Sequence, residues 1–226
     1  MARRCEPRRD ERVGVSYAAS DNTQLALAYE FRTALGDLKG RGGLTAIDTD
    51  NNQIVLSGAG RLENLQFPQA WIVGVSHRVW PALAVVADLR HTLWSQSLGD
   101  TEIAFTADDG GDLKGSLPTG FRDLTTLALG VEWQFQPNWT GRVGGSHAFQ
   151  QVVPDQNLNG TLPTITRQHL TGGVAWRPAP AHELSLGVSV GLNDPVRSLG
   201  GTANSIPAIE ARNRQVNSVL SCRYLL

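Results

Sequence analysis

The sequence predicts an all-β protein: a transmembrane, antiparallel, up-and-down β-barrel of which about nine strands are present. Segments of about ten residues alternate apolar and polar side chains with a period of two. Short and long connections between these segments alternate along the chain. The polar side of the segments consists of small residues and charges of both signs, with little lysine. Together these observations favour a strand wall between lipid and a wet interior.

Composition sets the broad class of the protein. The 226 residues carry a formal net charge of -1, so no basic excess predicts a nucleic-acid partner. Charged residues make up 18% of the chain, below the roughly 25% usual for soluble domains. The 24 glycines are typical of a β protein whose small residues face a crowded interior. The apolar runs are all shorter than the roughly 18 residues that a transmembrane helix needs.

The two ends of the chain carry little chemistry of their own. Residues 1–11 are charged and lack the apolar stretch of a signal peptide, so we expect an unstructured leader, one explanation being a non-native start. Residues 12–226 are expected to form part of the barrel. Cys5 and Cys222 are far apart in the sequence, and we do not expect a disulfide between them. Neither cysteine has the spacing of a metal ligand, and no cofactor is expected.

The alternating segments follow one another with a regular rhythm. Short turns are predicted at 21–22, 80–81, 136–138 and 178–181, and long polar loops at 33–69, 95–121, 150–166 and 193–213, with 51–62 as an extension of a strand. Outer-membrane barrels place short turns at the periplasmic end and long loops at the cell surface. The nine predicted strands are 12–20, 23–32, 70–79, 82–94, 125–135, 139–149, 167–177, 182–192 and 214–226.

Alternation alone does not tell whether the apolar side faces a protein core or lipid. The outer face of a soluble barrel would be rich in lysine and glutamate and poor in glycine. Here the polar side combines small residues with charges that can pair across a wet interior, so we expect lipid on the apolar side. The predicted lumen-lining residues are the charged members of the polar side: Glu30, Arg32, Asp88, Arg90, Glu132, Arg142, Arg177, Glu183 and Arg223.

Five aromatic residues gather at one end of the predicted strands. Each lies within about two residues of a short turn or of the C-terminus, whereas ordinary core aromatics would be scattered along the strands. Such a ring at one height is typical of the girdle at a membrane interface. The predicted interfacial aromatics are Trp80, Phe135, Trp139, Trp176 and Tyr224.

Catalytic and nucleotide-binding motifs are weak. The segment GAGRLE at 58–63 begins like a dinucleotide-binding loop but lacks the third glycine and a following helix. The five histidines are scattered, and no pattern places a base beside a nucleophile or assembles a metal site. We therefore predict a protein that is not an enzyme.

Residues from about 65 to 192 resemble the FadL-type outer-membrane transporters of long-chain fatty acids and other hydrophobic compounds, including the aromatic-hydrocarbon transporters. Several separate strand and loop motifs agree in order and spacing, which makes the resemblance specific. The matching segments are LQFPQAWIVGVSHRV, LAVVADLRHTLWS, GFRDLTTLALGVEWQFQPNWTGRVG and VVPDQNLNGTLPTITRQHLTGGVAWR.

The resemblance implies a fourteen-stranded barrel with an N-terminal plug, of which this chain would hold the last nine strands. It also implies passive uptake of fatty acids or hydrocarbons through a bacterial outer membrane, with membrane lipid and the barrel assembly machinery as partners. Any ligand-capturing surface would lie in the loops at 33–69, 95–121 and 150–166. The substrate itself is not identified by the sequence.

Two other functions fit a barrel of this kind. A structural or adhesive outer-membrane barrel would use its long loops as surface ligands. An outer-membrane enzyme of the lipase type would need a serine, a histidine and an acid at one height of the strands.

Nine strands form an odd number, and an open sheet in lipid leaves two edges of unpaired main-chain groups. We therefore expect the chain to be the C-terminal part of a larger barrel.

Overall fold

A computed structural model describes residues 11–47, 53–97, 100–118, 120–153, 166–192, 195–198 and 208–224. The predicted leader, apart from Glu11, lies outside these residues, and so does most of the loop predicted at 150–166. Strands dominate the described chain, with one short 3-10 turn at Trp94–Gln96. The strands are β1 Arg12–Ser20, β2 Thr23–Glu30, β3 Thr33–Ile47, β4 Gln53–Phe67, β5 Ala70–Trp80, β6 Leu83–Thr92, β7 Asp100–Ala107, β8 Asp112–Pro118, β9 Leu124–Gln136, β10 Trp139–Ala148, β11 Gln168–Ala179, β12 His182–Gly191, β13 Val196–Ser198, β14 Ile209–Ala211 and β15 Gln215–Tyr224.

Nine of these strands form one antiparallel sheet in the order β1-β2-β5-β6-β9-β10-β11-β12-β15. These nine are the strands that the alternation predicts, and the up-and-down connectivity is confirmed. The turns at 21–22, 81–82, 137–138 and 180–181 all lie at one end, here called the short-turn end. The longer connections leave from the opposite end, here called the long-connection end. No pairing joins β1 to β15 within the described part of the chain, so both strands are edges.

Three of the predicted polar loops are wrong as loops, because they contain hairpins. Strands β3, β4, β7 and β8 form a second, four-stranded sheet, here called the loop sheet, and β13 pairs with β14. Glycine occupies many positions of β3 and β4 where an alternating strand would have large apolar residues, for example Gly40 and Gly42 opposite Gly60 and Gly58. This substitution hides the alternation that otherwise marks a strand. Of these hairpins, only the segment 51–62 was predicted from the sequence to be strand, as an extension.

The ladder register separates two faces of the nine-stranded sheet. The first, the apolar face, carries pairs such as Val15 with Leu27 and Val143 with Val131. The second, the small-residue face, carries pairs such as Gly130 with Gly144 and Thr171 with Ser189. Large side chains of the apolar face are exposed rather than packed in a core. The most exposed of them include Val13, Val15, Tyr17, Val143, Val216, Leu220 and Tyr224.

Close strand packing requires glycine at particular positions of the small-residue face. A Cβ atom on Gly144 would lie 2.8 Å from the main-chain oxygen of Leu129, and one on Gly173 would lie 2.9 Å from that of Leu186. Both obstacles are backbone atoms, which cannot move without disturbing the ladder. Gly187, on the same face, has open space where a Cβ would stand. Glycine is thus a packing requirement at some of these positions only.

An ion pair links the two strands of the β13–β14 hairpin. Glu210 accepts hydrogen bonds from Arg212 Nε at 2.6 Å and from Arg197 Nε at 2.7 Å. These bonds, that of Arg212 first, lower the pKa of Glu210 below its ordinary value. The contribution of this carboxylate to hairpin stability is therefore present above its unfolded pKa and lost as the pH falls through the lowered pKa.

We predict that amide hydrogens of β13 and β14 exchange faster relative to those of β11 when the pH is lowered from 7 to below about 4, after correction for intrinsic exchange rates. In Glu210→Gln the two hairpin arginines lose their charged acceptor at every pH. The corrected protection of its hairpin should therefore not depend on pH. An equal pH dependence in both proteins would contradict the assignment.

We predict that Gly144→Val destabilises the sheet by about 1–3 kcal/mol, because the added methyl groups meet main-chain atoms of β9. Gly187→Val is the matched control, since the same substitution on the same face meets open space. Urea titration of the protein in detergent micelles, followed by tryptophan fluorescence, measures both. Equal midpoints for the two variants would show that close packing at Gly144 does not matter.

Candidate functional site

The small-residue face lines a furrow of about 760 Å³. Strands β5, β6, β9–β12 and β15 each contribute to its walls, because the ladder registers bring their small side chains to the same face. The short side chains leave room that larger ones would fill. Among the lining residues are Ser76, Val86, Ala128, Gly130, Gly144, Ser146, Thr171, Gly173, Ser185, Gly187, Ser189, Asn217 and Ser221.

Charged residues of the same face gather near the long-connection end. Glu30 accepts hydrogen bonds from both Arg12 and Arg90, and its side chain is mostly buried between them. Arg32 follows β2 directly and donates a hydrogen bond of 3.4 Å to Gln66 Oε1. Glu30 therefore bridges β1 and β6 across β2 and β5. Both arginines retain donors that a single carboxylate does not use.

A second group of charges lies near the short-turn end. Arg142 Nε donates to Glu132 Oε2 at 2.6 Å across the β9–β10 pair. Arg177 Nη2 donates to Glu183 Oε2 at 2.7 Å, and Arg223 stands opposite Glu183 on β15. Glu132 and Arg142 also line the furrow, so the furrow ends at this group.

Between the two groups, Asp88 is the charged residue of the furrow wall. It stands opposite Gly74 on β5 and Ala128 on β9, in the middle of the sheet. Its carboxylate lies over Gly74, where the absence of a side chain makes space for it. The eight predicted lumen candidates within strands thus share one face, and Arg32 follows the end of a strand. That this face lines a lumen remains a prediction.

Sequence reasoning missed Arg12 and Arg78, which belong to the same face. Arg12 pairs in register with Glu30, and Arg78 pairs with Ala84 next to a register shift at Trp80. Both residues sit at strand ends, where the alternating pattern is hardest to extend. The sequence contained the signal for both, because each arginine lies an even number of positions from the small residues of its strand.

The predicted interfacial aromatics lie at the short-turn end of the apolar face. Trp139 and Trp176 stack with ring centroids 5.8 Å apart, on adjacent strands. Phe135 contacts Trp133 at 5.8 Å, and Tyr224 packs edge-on against His182. Trp80, at the end of β5, is exposed. Their role at a membrane interface remains a prediction. Tyr17 and Trp133 stand at a similar height on the same face and were not among the predicted interfacial aromatics.

A separate aromatic cluster occupies the long-connection end. On the apolar face, Tyr29 contacts Phe31 and Trp71 at centroid distances of 4.8 and 4.5 Å. Trp94 lies instead in a small buried core with Phe121 and two valines, Val152 and Val153. This core anchors the start of the connection that follows β6.

The loop sheet is itself amphipathic. One of its faces, here called the loop apolar face, combines glycines with large apolar residues. The opposite face carries charges, including Arg41, which donates to Asp108 Oδ1 at 2.7 Å. Paired positions assign six large apolar residues with described side chains to the loop apolar face: Leu38, Leu56, Leu62, Ile103, Phe105 and Leu113. Leu38 and Leu113 are 58% and 48% exposed, so the face is open to solvent.

No group of three histidine, cysteine, aspartate or glutamate side chains is arranged to hold a metal ion in the described ranges. No helix in the part of the chain that the structure covers is long and apolar enough to cross a membrane.

Sequence comparisons identify relatives over most of the chain. The family model described as Outer membrane protein transport protein (OMPP1/FadL/TodX) matches residues 6–199. The long-chain fatty acid transport protein of Salmonella typhi is 30% identical over 185 residues, which are 78% of this chain and 41% of that protein. The protein of the same description from Escherichia coli K12 is 29% identical over 185 residues, covering 78% of this chain and 40% of that protein. The chain spans about two fifths of the length of these relatives.

Solved structures show the same relationship. The Pseudomonas putida toluene transporter TodX matches with a TM-score of 0.74 and 27% identity, over 94% of this chain and 48% of that chain. The Ralstonia pickettii toluene transporter TbuX matches with a TM-score of 0.71 and 27% identity, over 96% of this chain and 48% of that chain. The nine-stranded sheet thus corresponds to about half of a FadL/TodX β-barrel, and the predicted fold class is confirmed. The chain belongs to the outer membrane protein transport protein family (OMPP1/FadL/TodX).

Proposed function

We propose that the chain is the C-terminal part of an outer-membrane β-barrel that carries long-chain fatty acids or similar hydrophobic molecules inward by passive diffusion, without catalysis. The observation that carries this proposal is the division of the sheet into an exposed apolar face and a furrowed small-residue face. Similarity to proteins named long-chain fatty acid transport protein and toluene transporter supports it. Residues 12–226 would contribute to the barrel, and the leader would not.

Strand length supports the location in a membrane. Strand β5 has 11 residues, and a rise of about 3.3 Å per residue makes it roughly 36 Å long. With the tilt of about 40° usual in such barrels, it would span roughly 28 Å along the membrane normal, close to the hydrocarbon thickness. Aromatics flank the apolar band, with Trp71 at one end of β5 and Trp80 at the other. The partners on this side would be lipid and, during insertion, the barrel assembly machinery.

The two sheet edges support a wall that is completed by further strands. Strands β1 and β15 run in the same direction, because nine antiparallel strands alternate between them. Antiparallel closure therefore needs an odd number of additional strands between β15 and β1. A second copy of these nine strands would meet the first in parallel at both seams. A larger single barrel, to which this chain contributes one part of the wall, satisfies the pairing rule.

A route for a hydrophobic ligand can be drawn from the described residues. The loop apolar face is an exposed apolar surface beyond the long-connection end, which suits a first contact with a ligand from outside. The furrow on the small-residue face then offers a passage along the wall. Its polar groups can form hydrogen bonds with a ligand head while its valines and alanines contact the tail.

We predict that Leu38→Gln and Leu113→Gln together raise the half-saturation concentration for fatty-acid uptake about fivefold or more, because each removes apolar contact area from the loop apolar face. Lys39→Gln with Lys114→Gln is the matched control on the opposite face of the same sheet. Initial uptake rates in cells that express the complete protein measure the effect. A similar change in both double variants would argue against capture by the loop apolar face.

We predict that Leu220→Arg destabilises the assembled barrel by about 2–4 kcal/mol, the penalty for arginine at mid-bilayer depth on a lipid-facing strand. Val219→Arg is the control, because Val219 is the neighbouring residue on the small-residue face. Both side chains are well exposed, Val219 by 63% and Leu220 by 79%. Urea unfolding from lipid vesicles and the amount recovered in the outer-membrane fraction measure both. Tolerance of Leu220→Arg would contradict lipid contact on the apolar face.

A further inference from the structure

One carboxylate in the middle of the furrow has no partner of its own. Asp88 is the sixth of the ten residues of β6, and it lines the furrow opposite Gly74 on β5 and Ala128 on β9. Within the described part of the chain it makes no ion pair and accepts no hydrogen bond. An ionised carboxylate is an acceptor at both oxygens, so both remain open to water or to a ligand in the furrow.

The nearest residues of the small-residue face leave the charge of Asp88 unbalanced. Gly74 and Ser76 on β5, and Ala128 and Gly130 on β9, are all uncharged and small. The missing side chain of Gly74 makes room for the carboxylate beside the main chain of β5. Because neither neighbouring strand supplies a cation or a bulky group here, the carboxylate is accessible from the furrow.

The arginines of the surrounding wall do not supply the missing partner. Arg90, two residues further along β6, donates to Glu30 instead. Arg142, at the short-turn end, donates to Glu132 at 2.6 Å. Arg78 lies towards the short-turn end of β5 and is not among the furrow residues. The furrow lining thus contains two carboxylates and one guanidinium, and its unpaired charge is negative.

The other polar groups of the furrow are neutral. They are hydroxyls and one amide, among them Thr171, Ser189 and Asn217. Each of these groups can both donate and accept hydrogen bonds, so they favour no particular charge on a ligand. A ligand carboxylate, in contrast, is repelled by Asp88 and offers it no donor. An alcohol donates a hydrogen bond to the same carboxylate, and hydrogen bonds to a charged acceptor are the stronger kind.

We propose that Asp88 sets the charge selectivity of the furrow: it favours hydrophobic molecules whose polar group is an uncharged hydrogen-bond donor, such as an alcohol, over carboxylates of the same chain length. The donor binds the Asp88 carboxylate halfway along the wall. The valines and alanines of the furrow contact the hydrocarbon part of the ligand. This inference rests on the proposed transport function and narrows its substrate class.

Uptake of two radiolabelled probes of equal chain length, 1-dodecanol and dodecanoate, tests this selectivity in cells that express the complete protein, with empty-vector cells as the background. At neutral pH, Asp88→Asn should lower the half-saturation concentration of dodecanoate about tenfold, because it removes a like-charge contact in the furrow. The value for 1-dodecanol should stay nearly unchanged, since asparagine keeps an acceptor oxygen. Asp88→Glu keeps the charge and should keep the preference.

Asp21→Asn is the matched control, because it removes a carboxylate from the turn between β1 and β2, outside the furrow. Heat-modifiable migration on gels verifies equal amounts of folded protein. A parallel change for both probes in Asp88→Asn would mean a structural role and would overturn the selectivity, as would an unchanged ratio of the two values. Transport itself would stand in both cases. If the unmodified protein raises uptake of neither probe, the proposed function fails, and the selectivity fails with it.

Discussion

The pairing of main-chain N–H and C=O groups is the constraint on which the rest of the structure depends. In lipid an unpaired peptide group costs several kcal/mol, so a strand must have a neighbour on each side. Antiparallel pairing with the shortest possible turns meets this need along the chain from β1 to β15. In the proposed barrel, the same requirement makes the two edge strands β1 and β15 the places where further strands would pair.

Once pairing fixes the register, alternate residues along each strand lie on opposite faces of the sheet. The result differs from a soluble protein, which buries most of its large apolar residues. Large apolar residues are exposed on one face, and small or charged residues occupy the face that lines the furrow. Charges on that side gather near the two ends of the strands and are joined by short hydrogen bonds, as between Arg142 and Glu132. The middle of this face carries mainly small residues, with Asp88 as a charged residue among them.

The sequence predicted the nine wall strands well because each has a full alternating period and a turn at one end. It predicted which face carries Glu132 and Arg177 for the same reason. It recognised only part of β4 and missed β3, β7, β8, β13 and β14, where glycine, several polar residues or a very short strand weakens the periodic signal. It also missed Arg12 and Arg78, since a single residue at a strand end has no neighbour to establish parity. The connection of Glu30 to both Arg12 and Arg90 depends on strand order, which alternation does not encode.

The 15-residue strand β3 begins after only two residues beyond β2, and the 15-residue strand β4 ends only two residues before β5. The pairing of β3 with β4 extends over most of their length. At about 3.3 Å per residue each is roughly 50 Å long. On a bacterial surface, a paired and hydrogen-bonded projection of this length would rise among the sugar chains of the outer leaflet. It would present a fixed shape to whatever reaches that surface, because main-chain pairing holds its two strands together over most of their length.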